Sequence, residues 1–133
     1  MTRYVIDASA AVEYLLKTAI GKSIAAATEH SVLVAPELMD AEVVAVLRRA
    51  VLREELSEDR ALLALDDLSG WPVERVSHRA LAKSAWRHRH NLTAYDAFYV
   101  ATARAWGAEL LTADGPLSRA PRLDITVHNV RRA

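Results

Sequence analysis

Four carboxylates stand at points of the chain where a parallel sheet and its helices would bring acidic groups together: Asp7, Glu42, Asp96 and Asp114. Asp7 ends the short apolar run 4–6, and Asp114 follows a second apolar run, 110–112. Such runs are typical of buried strands whose last residue emerges at the sheet edge, where open parallel α/β sheets place their sites. Converging acids repel one another unless a cation holds them, so the quartet predicts divalent-metal chemistry.

The two acids that end apolar runs also have ordinary structural explanations. Asp7 precedes an expected helix, and Asp is a favoured N-cap residue. Asp114 precedes Gly115, and Asp-Gly is a strong turn signal. Ser9 and Thr112 each lie two residues from one of these acids. Either hydroxyl could support the metal site or contact a substrate phosphate.

Glu42 lies four residues from Leu38 and from Val46, at the edge of the apolar stripe of a long expected helix. A charged residue that faces inward is rare unless it is paired or binds a metal. The alternative is a partly exposed side chain that reaches toward Arg49. Spacing alone does not separate Glu42 from its neighbour Asp40 as the functional acid.

Asp96 completes a capping-box pattern with Thr93, and a capping role would suffice to explain it. The first turn of a helix is also where a carboxylate is held electrostatically and aimed outward. The helix contains the small residues Ala97, Ala101, Ala103 and Ala105. They would let it approach the sheet closely and bring Asp96 near the strand ends.

The absence of other motifs narrows the chemistry. The chain has no Cys, which excludes disulfides, thiolate nucleophiles and Cys-based zinc sites and fits a cytoplasmic location. No GxGxxG, GxxxxGK[ST], HExxH or GxSxG pattern occurs. An all-oxygen ligand set favours Mg²⁺ or Mn²⁺ over zinc. The simplest remaining reaction is hydrolysis of a phosphodiester by a metal-activated water.

Charge is divided unevenly along this chain of 133 residues, whose net charge is zero. Residues 1–74 carry 7 Lys/Arg and 13 Asp/Glu, whereas residues 75–133 carry 10 and 4. No acid occurs between Arg75 and Tyr95, a stretch expected to form a basic helix to about His90. This pattern suggests a surface for a polyanion, and the candidates to contact an RNA backbone are Lys83, Arg87 and Arg89. The alternative is a solvated helix face. The five histidines are interpreted as surface or RNA-facing.

Strands alternate with helices, which predicts an α/β fold with a mainly parallel sheet in a single domain, 1–133. Strands are expected at residues 4–6, 32–34, 71–76, 110–112 and 125–127. Helices are expected at about residues 10–16, 22–30, 36–53, 58–70, 77–90 and 93–106. Pro36 fits the first turn of the long helix, and Pro72 confines its strand to an edge or a strand start. The apolar stripe of the fourth helix is expected to be Leu62, Leu65 and Leu68. No membrane-spanning run of about 18 apolar residues is present.

Several of these stretches together resemble the PIN-domain ribonucleases, specifically the VapC toxins of type II toxin–antitoxin pairs. The first is Ile6-Asp7-Ala8-Ser9, and the second begins at Glu42 and runs through aliphatic residues to Arg49. The most specific stretch spans residues 92–103 and includes Tyr95-Asp96-Ala97-Phe98-Tyr99; it is followed by Leu-Thr-Ala-Asp at 111–114. The resemblance covers nearly the whole chain, and none of the four acids departs from the pattern.

The resemblance implies a three-layer α/β/α PIN-like fold, dependence on Mg²⁺ or Mn²⁺, homodimerisation and inhibition by a cognate antitoxin. It also implies endonucleolytic cleavage of RNA with arrest of translation, with Asp7, Glu42, Asp96 and Asp114 as catalytic metal ligands. The alternative is a PIN-fold module that binds RNA or an antitoxin without cleaving, and the intact quartet argues against it.

Overall fold

Five strands, all parallel, form the central sheet of the computed structural model, which describes residues 1–132. The expected domain's last residue, Ala133, lies outside the described part. In chain order the strands are β1 (Arg3–Ile6), β2 (Val32–Pro36), β3 (Glu74–Val76), β4 (Glu109–Thr112) and β5 (Val127–Asn129). Their spatial order is β3-β2-β1-β4-β5, and each neighbouring pair is parallel. The predicted α/β fold is confirmed.

Seven α-helices and a final 3-10 turn connect and flank these strands in the described residues. They are α1 (Ala8–Leu16), α2 (Ala19–Ala27), α3 (Leu38–Leu52), α4 (Glu58–Gly70), α5 (His78–Trp86), α6 (Ala94–Trp106) and α7 (Gly115–Arg119), with the turn at Val130–Arg132. Helices α1 to α4 pack on one another, and α5 packs on α6. Because parallel crossovers are right-handed, these two groups cover opposite faces of the sheet.

The strand order places a topological switch point between β1 and β4. The chain leaves β1 toward β2 on one side, whereas it leaves β4 toward β5 on the other side. The connections therefore diverge and open a crevice above the carboxyl ends of these two strands. The backbone N–H of Asp7 donates to Leu111 O at 3.1 Å, which fixes the two strand ends side by side.

The core lies on both faces of β1 and β4, whose central residues are fully buried. Tyr99, Val100 and Ala103 of α6 join the main apolar core, whereas Ala97 and Ala101 pack with residues of α5. The small residues of α6 therefore serve its packing on α5 as well as on the sheet, and Asp96 lies near the strand ends as expected. Ala105 is exposed.

Several expected element boundaries are also wrong. Pro36 ends β2 instead of opening α3; β1 pairs with β2 only as far as Val34, so the missing N–H of Pro36 leaves no gap against β1. Leu62 is 53% exposed, because α4 turns its small residues Ala61 and Ala64 inward. Gly115 opens α7 instead of completing a turn. The second helix begins earlier than expected, and the last strand begins two residues later.

The third strand is shorter than expected but lies at the sheet edge, as Pro72 predicts. Within residues 1–132, none of the helices combines the length and apolar character needed to cross a bilayer.

Candidate active site

All four predicted acids line one cavity of about 200 Å³ above the switch point. Asp7 comes from the end of β1, and Asp114 follows β4. Glu42 comes from α3 and Asp96 from the first turn of α6, so each face of the sheet contributes one helical acid. The structure thus brings together residues that are up to 107 positions apart in the sequence.

Asp7 is only 5% exposed, and its carboxylate is held by neutral donors. Its Oδ1 accepts hydrogen bonds from the Ser9 hydroxyl at 2.6 Å and from the Ala10 N–H at 3.0 Å. The N-cap interpretation is therefore correct, and the carboxylate still borders the cavity. Burial raises the pKa of Asp7 to about 6, against the hydrogen bonds that lower it, and the charge of Asp96 adds to the rise.

The structure distinguishes the roles of Glu42 and Asp40 by their different partners. Asp40 receives two bonds from the Arg75 guanidinium, at 2.9 and 3.2 Å. Glu42 instead accepts a bond from the Tyr99 hydroxyl at 2.6 Å and borders the cavity. Burial raises the pKa of Glu42, the Tyr99 bond lowers it, and the charge of Asp96 raises it further. Asp40 is accounted for by its ion pair, so Glu42 is the candidate for chemistry.

Tyr99 is a site residue that the sequence reasoning missed. Its side chain is 2% exposed, and burial together with the bond to Glu42 raises the pKa of its hydroxyl, so it remains protonated and donates. It lies three residues after Asp96, on the same face of α6, and both side chains border the cavity. That spacing is the signal that would have identified it.

Asp96 borders the cavity from the first turn of α6, and of the predicted capping box the structure shows the bond that Thr93 accepts. Its backbone N–H donates to Thr93 Oγ1 at 3.2 Å, so Thr93 caps α6. Burial raises the pKa of the Asp96 carboxyl, and so does the charge of Asp114, while a bond to Thr93 lowers it. Asp114 occupies the N-cap position of α7 but makes no side-chain capping bond. Its carboxylate is not engaged by its own helix.

Ser9 and Thr112 brace the strand ends. The Ser9 hydroxyl accepts the Ala113 N–H at 2.8 Å, and its oxygen lies 3.4 Å from Thr112 Oγ1. Thr112 Oγ1 accepts the Asp114 N–H at 2.9 Å. Thr112 is fully buried, so of its two predicted roles only support of the acids is compatible with the structure. Ser9 is half-buried and borders the cavity.

Arg49 is the single cation among the residues that border this cavity. It stands seven residues after Glu42, on the same face of α3. No ion pair joins it to Glu42 in the described residues, although the sequence allowed one. An arginine at the rim of an acidic cavity is suited to receive an anionic group that enters with the substrate.

Over residues 1–132, no three acidic or histidine side chains already converge tightly enough to form a metal-binding set. The bonds described above explain this spacing, because Asp7 is turned toward Ser9 and Glu42 toward Tyr99. The donors are all oxygens, which suits Mg²⁺ or Mn²⁺.

The basic segment, from Arg75 to about His90, differs from the single helix that was expected. Helix α5 ends at Trp86, so Arg87 and Arg89 lie in the following turns, while Lys83 lies on the helix; all three are exposed. Two histidines in this part of the chain are buried or half-buried, and the surface or RNA-facing interpretation is wrong for the buried His88. His88 is 5% exposed, and His78 Nε2 accepts the Leu38 N–H at 2.8 Å, where it starts α3.

Comparison with known proteins gives consistent results. The sequence pattern of the PIN domain matches residues 4–123. The chain is similar to the Ribonuclease VapC1 of Mycobacterium tuberculosis, with 43% identity over 98% of this chain and 100% of that protein. Its fold is similar to that of PAE2754 from Pyrobaculum aerophilum, with a TM-score of 0.69, 20% identity and coverage of 98% and 88% of the two chains. It is also similar to a chain of VapBC2 from Rickettsia felis bound to a promoter DNA fragment, with a TM-score of 0.62, 13% identity and coverage of 96% and 98%.

Proposed function

This chain belongs to the PIN domain family and is an endoribonuclease of the VapC type, and from that premise we propose that it is a Mg²⁺-dependent toxin that inhibits translation by hydrolysing RNA phosphodiester bonds. One observation carries the proposal. Four acids from two strand ends and two helices border a single cavity at the switch point of the sheet.

The metal would be held by Asp7, Glu42, Asp96 and Asp114. Burial and neighbouring carboxylates raise the pKa of three of these groups, which is the expected signature of acids gathered without a compensating charge. A bound Mg²⁺ or Mn²⁺ supplies a water of lowered pKa and neutralises charge that develops on the phosphoryl oxygens.

The chain's own residues would prepare the site for that chemistry. Ser9 and the Ala10 N–H hold Asp7 at the cavity. Tyr99 holds Glu42 by a hydrogen bond from a neutral hydroxyl, which does not balance the negative charge of the carboxylate. Arg49 would bind a phosphate oxygen next to the acids and so orient the scissile group. The half-buried setting strengthens each of these electrostatic contacts relative to water.

A cleavage assay with the purified protein tests this proposal. RNA incubated with Mg²⁺ or Mn²⁺ should be cut at internal positions, and EDTA should stop the reaction. Arg49→Ala should reduce cleavage while leaving the metal-induced rise in melting temperature intact. RNA binding without any cleavage in either metal would instead support the alternative of a PIN-fold binding module.

The exposed cations of the basic segment are proposed to bind the RNA backbone: Lys83, Arg87 and Arg89. Each phosphate contact on a single strand contributes about −0.7 to the slope of log affinity against log salt. The double change Arg87→Ala, Arg89→Ala in an inactive Asp7→Asn background should flatten that slope by about one to one and a half units. Identical slopes would indicate that this segment is a solvated surface that does not contact the RNA backbone. Lys22→Ala, an exposed cation on α2, is the matched control.

A cognate antitoxin is the proposed protein partner, as the VapC names of the relatives suggest. Helices α3 and α4 expose an apolar face that includes Val44, Leu52 and Leu62, which are 47 to 64% exposed. An apolar patch of this kind, edged by Arg48 and Glu58, suits an amphipathic segment of such an antitoxin. The double change Leu52→Lys, Leu62→Lys should weaken binding of the antitoxin encoded by the neighbouring reading frame and leave RNA cleavage intact.

We also propose that the chain forms a homodimer, as the family resemblance implies. Light scattering over a range of concentrations measures this. If the lysine double change at the α3–α4 face produced monomers, that face would be the contact between two copies, and the antitoxin would have to bind elsewhere.

A further inference from the structure

A second cavity, of about 280 Å³, lies on the other side of α6 from the acids. Its walls are the small residues Ala82 and Ala85 of α5 and Ala94 and Ala97 of α6, closed by Phe98, and its rim carries Trp86 and Arg89. Small residues on two neighbouring helices leave a narrow slot between them. We call this cavity the Trp86 slot.

Trp86 is unusually open for an aromatic side chain. It is 66% exposed, and Tyr95 at the start of α6 is 65% exposed. The Arg89 guanidinium carbon lies 5.2 Å from the centre of the Trp86 ring, and Arg89 Nη1 donates to Trp86 O at 3.2 Å. The ring therefore already carries a flat cationic group against one face, the kind of contact that planar ligands also make.

The slot and the acidic cavity share the first turns of one helix. Ala94, Ala97 and Phe98 border the slot, whereas Asp96 and Tyr99 border the acids. At 3.6 residues per turn these two sets point in opposite directions from the axis of α6. Across a helix of about 10 Å diameter, a strand with a rise of about 3.4 Å per nucleotide needs about three nucleotides to connect the two cavities.

We propose that the Trp86 slot holds a nucleobase of the RNA substrate, stacked on Trp86 about three nucleotides from the bond that is cut. The inference rests on the proposed function, because it requires that RNA reaches the acidic cavity. On entry the base displaces the Arg89 guanidinium from the ring toward the adjoining phosphate. Trp86 thus contributes contact with the base, and Arg89 contributes contact with the backbone.

Charge favours a nucleic acid over a protein segment as the occupant. Most residues that border the slot belong to the stretch from Arg75 to Tyr95, which contains no acid, and the other two, Ala97 and Phe98, follow Asp96. Lys83, Arg87 and His90 of the same stretch are exposed. An aromatic platform surrounded by cations is the general arrangement by which proteins bind single-stranded nucleic acid.

The test uses the Asp7→Asn protein, which binds without cutting, and short oligo(A) as the probe. Trp86→Ala should weaken binding about fivefold to a hundredfold, the range of one stacked base, and Trp86→Phe should restore part of it. The salt dependence should be unchanged in Trp86→Ala, whereas Arg89→Ala should flatten it. Oligo(A) should also quench tryptophan fluorescence, and Trp106→Phe should leave that quenching intact.

Single abasic sites placed along the oligo(A) probe sharpen the test. At one position, an abasic site should lower the affinity of the protein that retains Trp86. The same abasic site should not lower the affinity of Trp86→Ala any further. Unchanged affinity in Trp86→Ala, while the wild-type protein cleaves RNA, would overturn this inference and leave the proposed function in place. Conversion of a dimer to monomers by Trp86→Ala would assign the slot to a protein contact. A wild-type protein that neither binds nor cleaves RNA would overturn both.

Discussion

Two acids of α3, Asp40 and Glu42, lie two residues apart and meet opposite surroundings. Asp40 faces Arg75, whose guanidinium forms an ion pair with it through two hydrogen bonds, at 2.9 and 3.2 Å. Glu42 faces the cavity and receives one bond, from the neutral hydroxyl of Tyr99. Arg75 also donates to three backbone carbonyls, those of Leu68, Trp71 and Val73. The Asp40 region is thus a structural joint between α3, α4 and β3.

The difference separates two uses of a carboxylate. An acid whose charge is balanced inside the chain needs nothing further, and its role is to hold segments together. An acid held only by hydroxyl and N–H donors is oriented but remains uncompensated, so it is free to bind a cation that arrives with the reaction. Asp7 belongs with Glu42 in the second group, because its partners are Ser9 and the Ala10 N–H.

The strongest test of this contrast compares Glu42→Gln with Asp40→Asn. Each change removes one charge from the same helix. We expect Glu42→Gln to lower RNA cleavage by at least about tenfold to a hundredfold, as damage to a metal site does, and Asp40→Asn to leave the rate of cleavage nearly unchanged. Asp7→Asn and Asp96→Asn should act like Glu42→Gln. Circular dichroism checks that each variant is folded. An active Asp96→Asn protein would favour a purely capping role for that residue.

The second prediction concerns stability without metal. The folded-state pKa of Asp7, about 6, exceeds the ordinary aspartate value of 3.8, so between these two pH values the folded protein keeps a proton that the unfolded chain loses. Stability contributed by Asp7 therefore falls as pH rises through this window. At about pH 7, Asp7→Asn should raise the free energy of unfolding by about 2 kcal/mol, less than the full pKa difference because the amide is also buried. Asn still caps α1.

The advantage of Asp7→Asn should disappear at about pH 4, where the wild-type carboxyl is largely protonated in the folded protein. Urea unfolding at the two pH values, with EDTA present, measures both differences. Asp40→Asn is the control and should lower stability by less than about 1 kcal/mol, as expected for a partly exposed pair. A gain in stability of Asp7→Asn that is equal at both pH values would show that the buried charge is not its source.

The smallest expected effect is the metal-induced shift in stability. At a Mn²⁺ concentration about ten times its Kd, binding to the folded state alone contributes about 1.4 kcal/mol. The melting temperature should rise in the wild-type protein and in Asp40→Asn, and should not change in Asp7→Asn or Glu42→Gln. A rise that persists in Glu42→Gln but not in Asp40→Asn would reverse the assignment of the two acids.

The sequence alone was sufficient for the parts of the molecule governed by local rules. Alternating apolar runs predicted the parallel α/β sheet, and Thr93 predicted a helix cap that the structure contains. The run that ends in Asp7 and the Leu-Thr-Ala-Asp stretch placed two acids at strand ends, because parallel strands deliver their last residues to one edge of a sheet. The helical positions of Glu42 and Asp96 made both acids candidates, and the resemblance to a known family matched all four acids as a set.

Only the tertiary structure decided which partner each side chain meets. Whether Asp40 or Glu42 faces the cavity depends on the rotation of α3 by a fraction of a turn, and the residues that settle it, Arg75 and Tyr99, lie far away in the chain. The same holds for the end of α5 at Trp86 and for the slot between α5 and α6. Helical periodicity shows which residues share a face, but the packing of one element on another determines what that face contacts.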